Sequence, residues 1–202
     1  MLDPYLIPNT DILQNRLGIT DKSLLEKAES DITYLKLLDI DAWLENKTLT
    51  YETFLAVRNY IFGDLYEWAV KIRTIPIYKE EVVLGGISLN YGDVSSIQSQ
   101  AELIIDELNQ IEWFEISVED IIPLFVDLIA RLWFIHPFRE GNTRTVIRFA
   151  GLFANAKGFP LNSKLLRDNA SYVRNSLVLY CVQEAPEKKH FIKIMTDAIK
   201  DF

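Results

Sequence analysis

The sequence has one cysteine, Cys181, and no long apolar run, and both shortages limit the class of protein. A single cysteine cannot form a disulfide within the chain, so a disulfide-stabilised secreted scaffold is excluded. No segment approaches the length of uninterrupted apolar sequence that a membrane-spanning helix needs. The first residues lack a basic region followed by an apolar one, so no signal peptide is expected and a cytoplasmic protein is predicted.

An excess of positive charge is also absent. The chain carries 21 lysines and arginines against 29 aspartates and glutamates, which gives a net charge of −8 at pH 7. A general nucleic-acid binder needs a basic surface, so direct binding to nucleic acid is not expected. The sequence contains no internal repeat and no low-complexity linker. With 202 residues, 49% of them hydrophobic, we expect a single domain over residues 1–202.

Apolar residues recur at helical spacing over most of the chain, which predicts a mostly α fold. Residues 1–49 are expected to form an N-terminal arm and helices, and residues 50–202 a helical core. The aromatic residues between Thr50 and Arg73 are interpreted as core, because aromatics at helical spacing pack more often than they bind ligands. The predicted helices are Asp11–Leu17, a longer one capped by Thr20 or Asp21, Thr50–Arg73, Asp93–Leu108, Ser117–Phe134, Thr145–Lys157, Asn169–Gln183 and Glu187–Lys200.

One segment has the composition of β-strands. Two β-branched runs, Thr74–Tyr78 and Val82–Leu89, flank Lys79-Glu80-Glu81, and they predict a hairpin at about residues 74–89. A two-stranded ribbon is marginally stable alone, so it must lie on the helical body. The spacing by itself leaves open whether this hairpin is merely structural or binds another chain.

A short polar segment, residues 136–144, separates two apolar helical patterns. The second helix would begin near Gly141-Asn142, where free backbone N–H groups and the helix dipole favour a phosphate. Arg144 in its first turn can bind phosphate oxygens. Glu140 is a hard oxygen ligand suited to Mg²⁺, and His136 is a suitable general base for a hydroxyl. The residues alone therefore predict a nucleotide-phosphate site with its own base.

The same segment resembles the signature of the Fic family, His-x-Phe-x-(Asp/Glu)-Gly-Asn-Gly-Arg-x-x-Arg. Two positions depart from it: Thr143 stands in place of the second Gly, and Ile147 in place of the final arginine, with Arg148 one position later. Asp3-Pro4-Tyr5 and Asn15-Arg16-Leu17 are also similar to a Fic-like opening, so the resemblance covers most of the chain. The matching positions are His136, Phe138, Glu140, Gly141, Asn142 and Arg144, with Pro137 in the first free position.

The resemblance implies a single-domain Fic-like helical bundle with a small β-hairpin, the flap, beside the active-site loop. It implies transfer of AMP from ATP to a Ser, Thr or Tyr hydroxyl of a target protein, with Mg²⁺. His136 is then the catalytic base, Glu140 the metal ligand, and the flap edge binds the target as an added strand. The implied nucleotide-binding residues are Gly141, Asn142, Thr143, Arg144 and Arg148, and the implied target-binding residues are Ile75, Ile77, Leu84 and Gly85.

Regulation and alternatives also follow from the resemblance. Many Fic proteins carry an inhibitory (Ser/Thr)-x-x-x-Glu-(Gly/Asn) helix, but Thr48 and Glu52 have that spacing without the final residue and are interpreted as a helix cap. The chain therefore resembles toxins restrained by a separate small antitoxin, some of which modify type II topoisomerase subunits. A Doc-like kinase and a catalytically degenerate Fic-fold binding module are the alternatives; Thr143 and Ile147 favour the latter, whereas the retention of His136 and Glu140 favours an enzyme.

Overall fold

The computed structural model describes residues 3–43 and 48–199. Within them the chain is mostly helical, which confirms the predicted class, and a short irregular arm precedes the first helix. None of the described helices is both long enough and apolar enough to cross a membrane. The α-helices are α1 (Lys22–Trp43), α2 (Tyr51–Phe62), α3 (Ile97–Gln110), α4 (Val118–Ile135), α5 (Asn142–Ala156), α6 (Ser163–Asp168), α7 (Ala170–Cys181) and α8 (Lys189–Ile199).

Helix α4 is the centre of the domain. It packs against α3, α5, α7 and α8, so its side chains are covered on several faces. The predicted cap is present, because the Ser117 hydroxyl accepts a hydrogen bond from the Asp120 backbone N–H at 3.3 Å. Pro123, expected near the helix start, is the sixth residue of α4, so its missing N–H leaves one first-turn carbonyl without an intrahelical donor. The buried side chains Phe125 and Trp133 lie in the core that α4 shares with its neighbours.

Helix α2 is shorter than predicted. It ends at Phe62, and the Gly63 N–H closes it by donating to the Asn59 carbonyl, whereas the prediction continued to Arg73. The aromatic residues that follow lie in turns, where the N-terminal arm binds them: Trp68 Nε1 donates to the Gln14 carbonyl at 3.1 Å. The aromatic content is therefore core packing, as interpreted, but tertiary contacts rather than helix hold its second half.

The prediction of a short helix at residues 11–17 is wrong. This part of the arm consists of turns and one isolated antiparallel bridge between Leu6 and Leu13. The backbone groups of the arm find partners elsewhere, since the Arg16 N–H donates to the Leu65 carbonyl at 2.7 Å. The cap predicted for the next helix is confirmed for Asp21, whose carboxylate accepts from the Leu24 N–H at 2.8 Å.

The predicted β-hairpin is not confirmed. Residues 74–89 contain no strand; the chain reverses through irregular backbone and one 3-10 turn at Val82–Leu84. A regular ladder is interrupted because Lys79 N–H donates to the Ser88 hydroxyl at 3.1 Å instead of a carbonyl. Gly85 and Gly86, with φ of 65° and 94°, also take backbone conformations outside the β region. We call residues 74–89 the flap segment.

Candidate active site

His136 lies at the end of α4, where the chain turns out of the helix. Its backbone is left-handed, with φ 51° and ψ 59°, and its N–H donates to the Trp133 carbonyl at 3.0 Å. A non-glycine residue in this conformation is strained and persists only where the surroundings hold it. The side chain is 2% exposed, and neither ring nitrogen has a hydrogen-bond partner among the described residues.

Arg73 holds this strained turn in place. The side chain is 1% exposed, and its Nε donates to the His136 carbonyl at 2.8 Å. Nη1 and Nη2 donate to the carbonyls of Ile75 and Ile135 at 2.8 and 3.3 Å, and Nη2 also donates to that of Gly92. One guanidinium thus satisfies carbonyls at the end of α4 and ties them to the flap segment.

The electrostatic surroundings keep the His136 ring neutral. Burial lowers the pKa of His136 well below its usual value, and the positive charge of Lys79 lowers it further. Tyr91 lies against the imidazole, with ring centroids 4.0 Å apart, and Trp133 meets it edge-on at 5.3 Å. A neutral imidazole can accept a proton, so the ring is both oriented and in the form that a general base requires.

The loop after His136 is closed by the Asn142 side chain. Its Oδ1 accepts from the Phe138 N–H at 2.8 Å, and its Nδ2 donates to the Phe138 carbonyl at 2.7 Å. Phe138 is fully buried, and its ring lies against Phe54 with centroids 5.5 Å apart. The Asn142 amide therefore builds the loop, and the backbone of the loop is what remains to meet a ligand.

Helix α5 begins at this loop. Gly141 is its N-cap with φ 70°, and the Gly141 carbonyl accepts from the Thr145 N–H at 3.1 Å. The N–H groups of residues 142–144 precede the first intrahelical bond, so they are the donors that a helix start offers to an anion. Only glycine fits here, because a Cβ would come within 2.2 Å of Phe62 Cζ and 2.5 Å of Arg58 Nη1.

Glu140 is ionised and faces the same space. Burial acts to raise the pKa of Glu140, but Lys79, the Gly141 N–H and Arg144 outweigh it and lower the pKa to about 2. Lys79 Nζ lies 3.1 Å from Glu140 Oε2. No group of three metal-ligating side chains occurs in the described residues. A single hard carboxylate fits Mg²⁺, which proteins commonly bind through one or two carboxylates together with substrate phosphates.

Arg144 is anchored to α1. Its Nη1 donates to the Thr33 hydroxyl at 2.9 Å, and its Nη2 pairs with the Glu29 carboxylate. The Glu29 carboxylate also accepts from the Tyr66 hydroxyl. The predicted phosphate-binding arginine is thus held in place by a carboxylate that a polyphosphate would have to share or displace.

The two positions that depart from the motif have different environments. Thr143 lies within α5, and left-handed backbone falls on Gly141 instead, so no positive φ is imposed on a β-branched residue. The Thr143 hydroxyl accepts from Trp133 Nε1 at 2.9 Å, which ties α5 to the ring beside His136. Ile147 and Arg148 both line the cavity, so the arginine one position late still faces the site.

One cavity of about 550 Å³ brings these groups together, a volume typical of small-molecule sites. Basic side chains from the flap segment and from α5 to α7 line it together with acidic ones from α1. Of the residues predicted from the sequence it includes His136, Glu140, Gly141, Asn142, Thr143, Arg144 and Arg148.

The four residues predicted to bind a target do not line this cavity. Ile75 and Leu84 pack against the core, Ile77 is half-buried, and Gly85 is exposed at the turn. The side chains that the flap segment presents to solvent are Tyr78, Val82 and Ile87, which are 73%, 90% and 69% exposed.

Several residues of the site were not identified in the sequence. Lys79 and Glu29 lie far from the motif in the chain, and nothing in their local pattern distinguishes them from surface charges. Glu81 is fully buried, bound by Arg174 at 2.6 Å and by the Tyr91 hydroxyl at 2.7 Å. Arg174 lines the cavity from α7. These residues are recognised only in the tertiary structure, where their charged groups are paired or buried beside the cavity.

A helix start that offers N–H groups, an ionised carboxylate and a neutral buried histidine lie in one cavity of a helical domain, as the sequence predicts for a nucleotide-phosphate site. The Fic/DOC family model matches residues 48–154, which include this site. The chain belongs to the Fic/DOC family.

Curated relatives of the chain are named protein adenylyltransferases. The chain is 27% identical to the protein adenylyltransferase VbhT of Bartonella schoenbuchensis over 79% of its own length, but spans 32% of that protein. It is 28% identical to the probable protein adenylyltransferase y4lH of Sinorhizobium fredii, covering 81% of each chain. The N-terminal FIC domain of Bep8 from Bartonella sp. 1-1C has the same fold, with a TM-score of 0.79, 16% identity and coverage of 96% and 94% of the two chains.

Proposed function

We propose that this protein is an adenylyltransferase that transfers AMP from ATP to a hydroxyl of a target protein. The observation that carries the proposal is the neutral, buried His136 in the same cavity as the phosphate-binding start of α5. The names of the relatives support the same activity, and the cavity volume suits a nucleotide.

The chemistry can be written from the residues of this chain. The acceptor oxygen forms a bond to the α-phosphorus of ATP, the bond from that phosphorus to pyrophosphate breaks, and a ring nitrogen of His136 takes the hydroxyl proton. The N–H groups at the start of α5 and the Arg144 guanidinium stabilise the phosphate charge. Glu140 would hold Mg²⁺, which when bound neutralises charge on the phosphates.

In this proposal the acceptor approaches His136 past the flap segment. Its exposed side chains Tyr78, Val82 and Ile87 offer an apolar surface to a target chain. Lys79 follows Tyr78 directly and reaches Glu140, so a target bound at this surface would lie next to the cavity. In this proposal Ile75, Ile77, Leu84 and Gly85 act through the backbone shape of the flap segment.

The test compares ATP labelled at the α- or the γ-phosphate, incubated with the protein, Mg²⁺ and a bacterial lysate. We expect α-label on a protein band, and its loss in His136→Ala. His190→Ala is the matched control, since the second histidine lies on α8 outside the cavity. Transfer of γ-label alone would establish the kinase alternative, and ATP binding without transfer would favour the degenerate binding module.

The finer biological role rests on the resemblance alone. A separate antitoxin and a topoisomerase subunit as target stay predictions of the sequence. Co-expression offers a direct measurement: growth arrest by the wild type, absent in His136→Ala and relieved by a small protein encoded beside it, would support the toxin hypothesis.

A further inference from the structure

A second arginine, Arg58 on α2, lies directly behind the phosphate-binding loop. It is fully buried, and none of its three guanidinium nitrogens has a hydrogen-bond partner in the part of the chain that the structure describes. The guanidinium carbon lies 3.6 Å from the ring centroid of Phe62 and 5.1 Å from that of Phe138. Aromatic faces therefore cover the cation, but no carboxylate or carbonyl of the described residues accepts from its N–H groups.

This arrangement is costly for folding. Buried charges in proteins are normally paired and hydrogen-bonded, and an isolated one loses most of its hydration without compensation. An apolar residue of similar length would fill the space between the two aromatic rings without that cost. The packing at this position of α2 requires only a large side chain, yet the residue there is charged.

The charge is directed towards the loop. A Cβ built on Gly141 would come within 2.5 Å of Arg58 Nη1, so the guanidinium lies against the residue that caps α5. Glu140 and Glu29 are the negative groups whose charge acts on it, and Arg144 is a further positive group close by. Two arginines from different helices thus flank the start of α5, one facing the cavity and one behind the loop.

We propose that Arg58 is a positioning residue that adds a fixed positive potential behind the loop at residues 140–144, and so strengthens the binding of polyphosphate groups without touching them. In a region of low dielectric, a cation held by packing acts on a phosphate across the intervening backbone and needs no reorganisation when the ligand binds. The proposal deepens the proposed function, because it concerns the ATP site of the same cavity.

If Arg58 acts on the phosphates, removing its charge should lower the affinity for ATP without lowering the melting temperature. Arg58→Met removes the charge and keeps the length and the apolar contacts with Phe62. Arg58→Lys keeps a cationic side chain at this position, although burial neutralises a lysine more readily than an arginine. Arg131→Met is the control, because Arg131 is an exposed arginine on α4 outside the cavity lining. The readouts are the affinity for ATP without Mg²⁺ by calorimetry, the affinity for adenosine by displacement, and the melting temperature without ligand.

We expect Arg58→Met to weaken ATP binding by about tenfold or more while its melting temperature stays the same or rises. Adenosine, which has no phosphates, should bind within about twofold of wild type, and Arg58→Lys should recover the ATP affinity only in part, because burial removes the charge of a lysine more readily than that of an arginine. Arg131→Met should match the wild type for both ligands.

Three results would overturn the inference. Unchanged ATP affinity in Arg58→Met would show that the charge does not reach the phosphates. An equal loss for ATP and adenosine, or a variant that unfolds, would mark Arg58 as a structural residue only. A wild-type protein that binds no ATP would refute the proposed function itself, and the inference with it.

Discussion

At the scale of single residues, the surroundings of His136 hold this proposed catalytic base in one position and one protonation state. A left-handed backbone, an arginine on its carbonyl and two aromatic rings fix the imidazole, and burial keeps it neutral. The left-handed backbone costs stability, and the Arg73 hydrogen bonds and the packing around the ring compensate for it. The strained backbone at His136 therefore supports a functional role for this residue.

The pH dependence of transfer follows from the lowered pKa of His136. A base works in its neutral form, so kcat/KM should stay on its plateau as the pH falls below 6.5, where an ordinary histidine is half protonated. Lys79→Met should raise the His136 pKa and move the acidic limb to higher pH, because one nearby positive charge is lost. The measurement is a pH profile of transfer, with Lys71→Met, an exposed lysine, as the control. Coincident acidic limbs in all three proteins would contradict this account.

Thr143 should contribute to stability through its hydroxyl. Thr143→Val keeps the shape but leaves the buried Trp133 indole N–H without its acceptor, so the free energy of unfolding should fall by about 1–2 kcal/mol. Thr143→Ser keeps the acceptor and should lose much less. Urea unfolding followed by tryptophan fluorescence measures both, and equal stability of the Val variant and wild type would show that the hydrogen bond contributes nothing.

At the scale of elements, the site depends on where helices end and begin. The end of α4 supplies His136, the proposed base, the start of α5 supplies N–H donors, and α1 brings Glu29 to Arg144. The flap segment supplies Lys79, although it is not the hairpin that its composition predicts. The elements meet because α4 packs against α5, and α2 against both α1 and α5.

The contact between α1 and α5 should oppose nucleotide binding. Glu29 pairs with Arg144, and its negative charge repels a polyphosphate placed at that arginine. Glu29→Gln keeps an acceptor for Tyr66 and should tighten ATP binding by about 1 kcal/mol, roughly fivefold in Kd. Glu26→Gln is the matched control, since it removes an equal charge from the cavity wall and leaves the Glu29–Arg144 pair intact. Calorimetry measures the ATP affinity of both variants. Weaker binding in Glu29→Gln would mean that Glu29 chiefly orients Arg144.

At the scale of the whole molecule, the N-terminal arm is joined to the helical core at several points. Asp3 accepts from Arg139 Nε at 2.8 Å beside the active-site loop, and Tyr5 accepts from the Thr74 N–H at 3.0 Å. The Tyr5 ring also meets Trp68 edge-on, with centroids 5.2 Å apart. These contacts argue that residues before and after position 50 fold as one unit.

Urea unfolding should accordingly show one cooperative transition. Far-UV circular dichroism reports the helices, and fluorescence reports tryptophans in the core and beside the arm, so the two curves should coincide. Trp68→Phe removes the probe beside the arm and should leave the midpoint of the remaining signal close to that of the circular dichroism. Separate midpoints would divide the chain into two units near the predicted boundary at residues 49 and 50.

How far the sequence predicts the structure differs between elements. Strong apolar periodicity and a good cap placed α4 almost to the residue, whereas α2 was extended too far because aromatic residues continue past Gly63. The hairpin failed because β-branched residues in the flap segment indicate extended backbone but not its pairing. The motif identified a loop whose residues line one cavity, but the partners of those residues were not predictable.

The sequence by itself determined the class of fold, the loop at residues 136–144 and the kinds of side chain available there. These depend on local periodicity and on spacing along the chain, which are properties of neighbours in sequence. Only the tertiary structure decided that Glu29 meets Arg144, that Lys79 meets Glu140 and that Arg58 is buried behind Gly141. The physical reason is that charge pairing and burial depend on distances in space, which packing sets between residues as many as 115 positions apart.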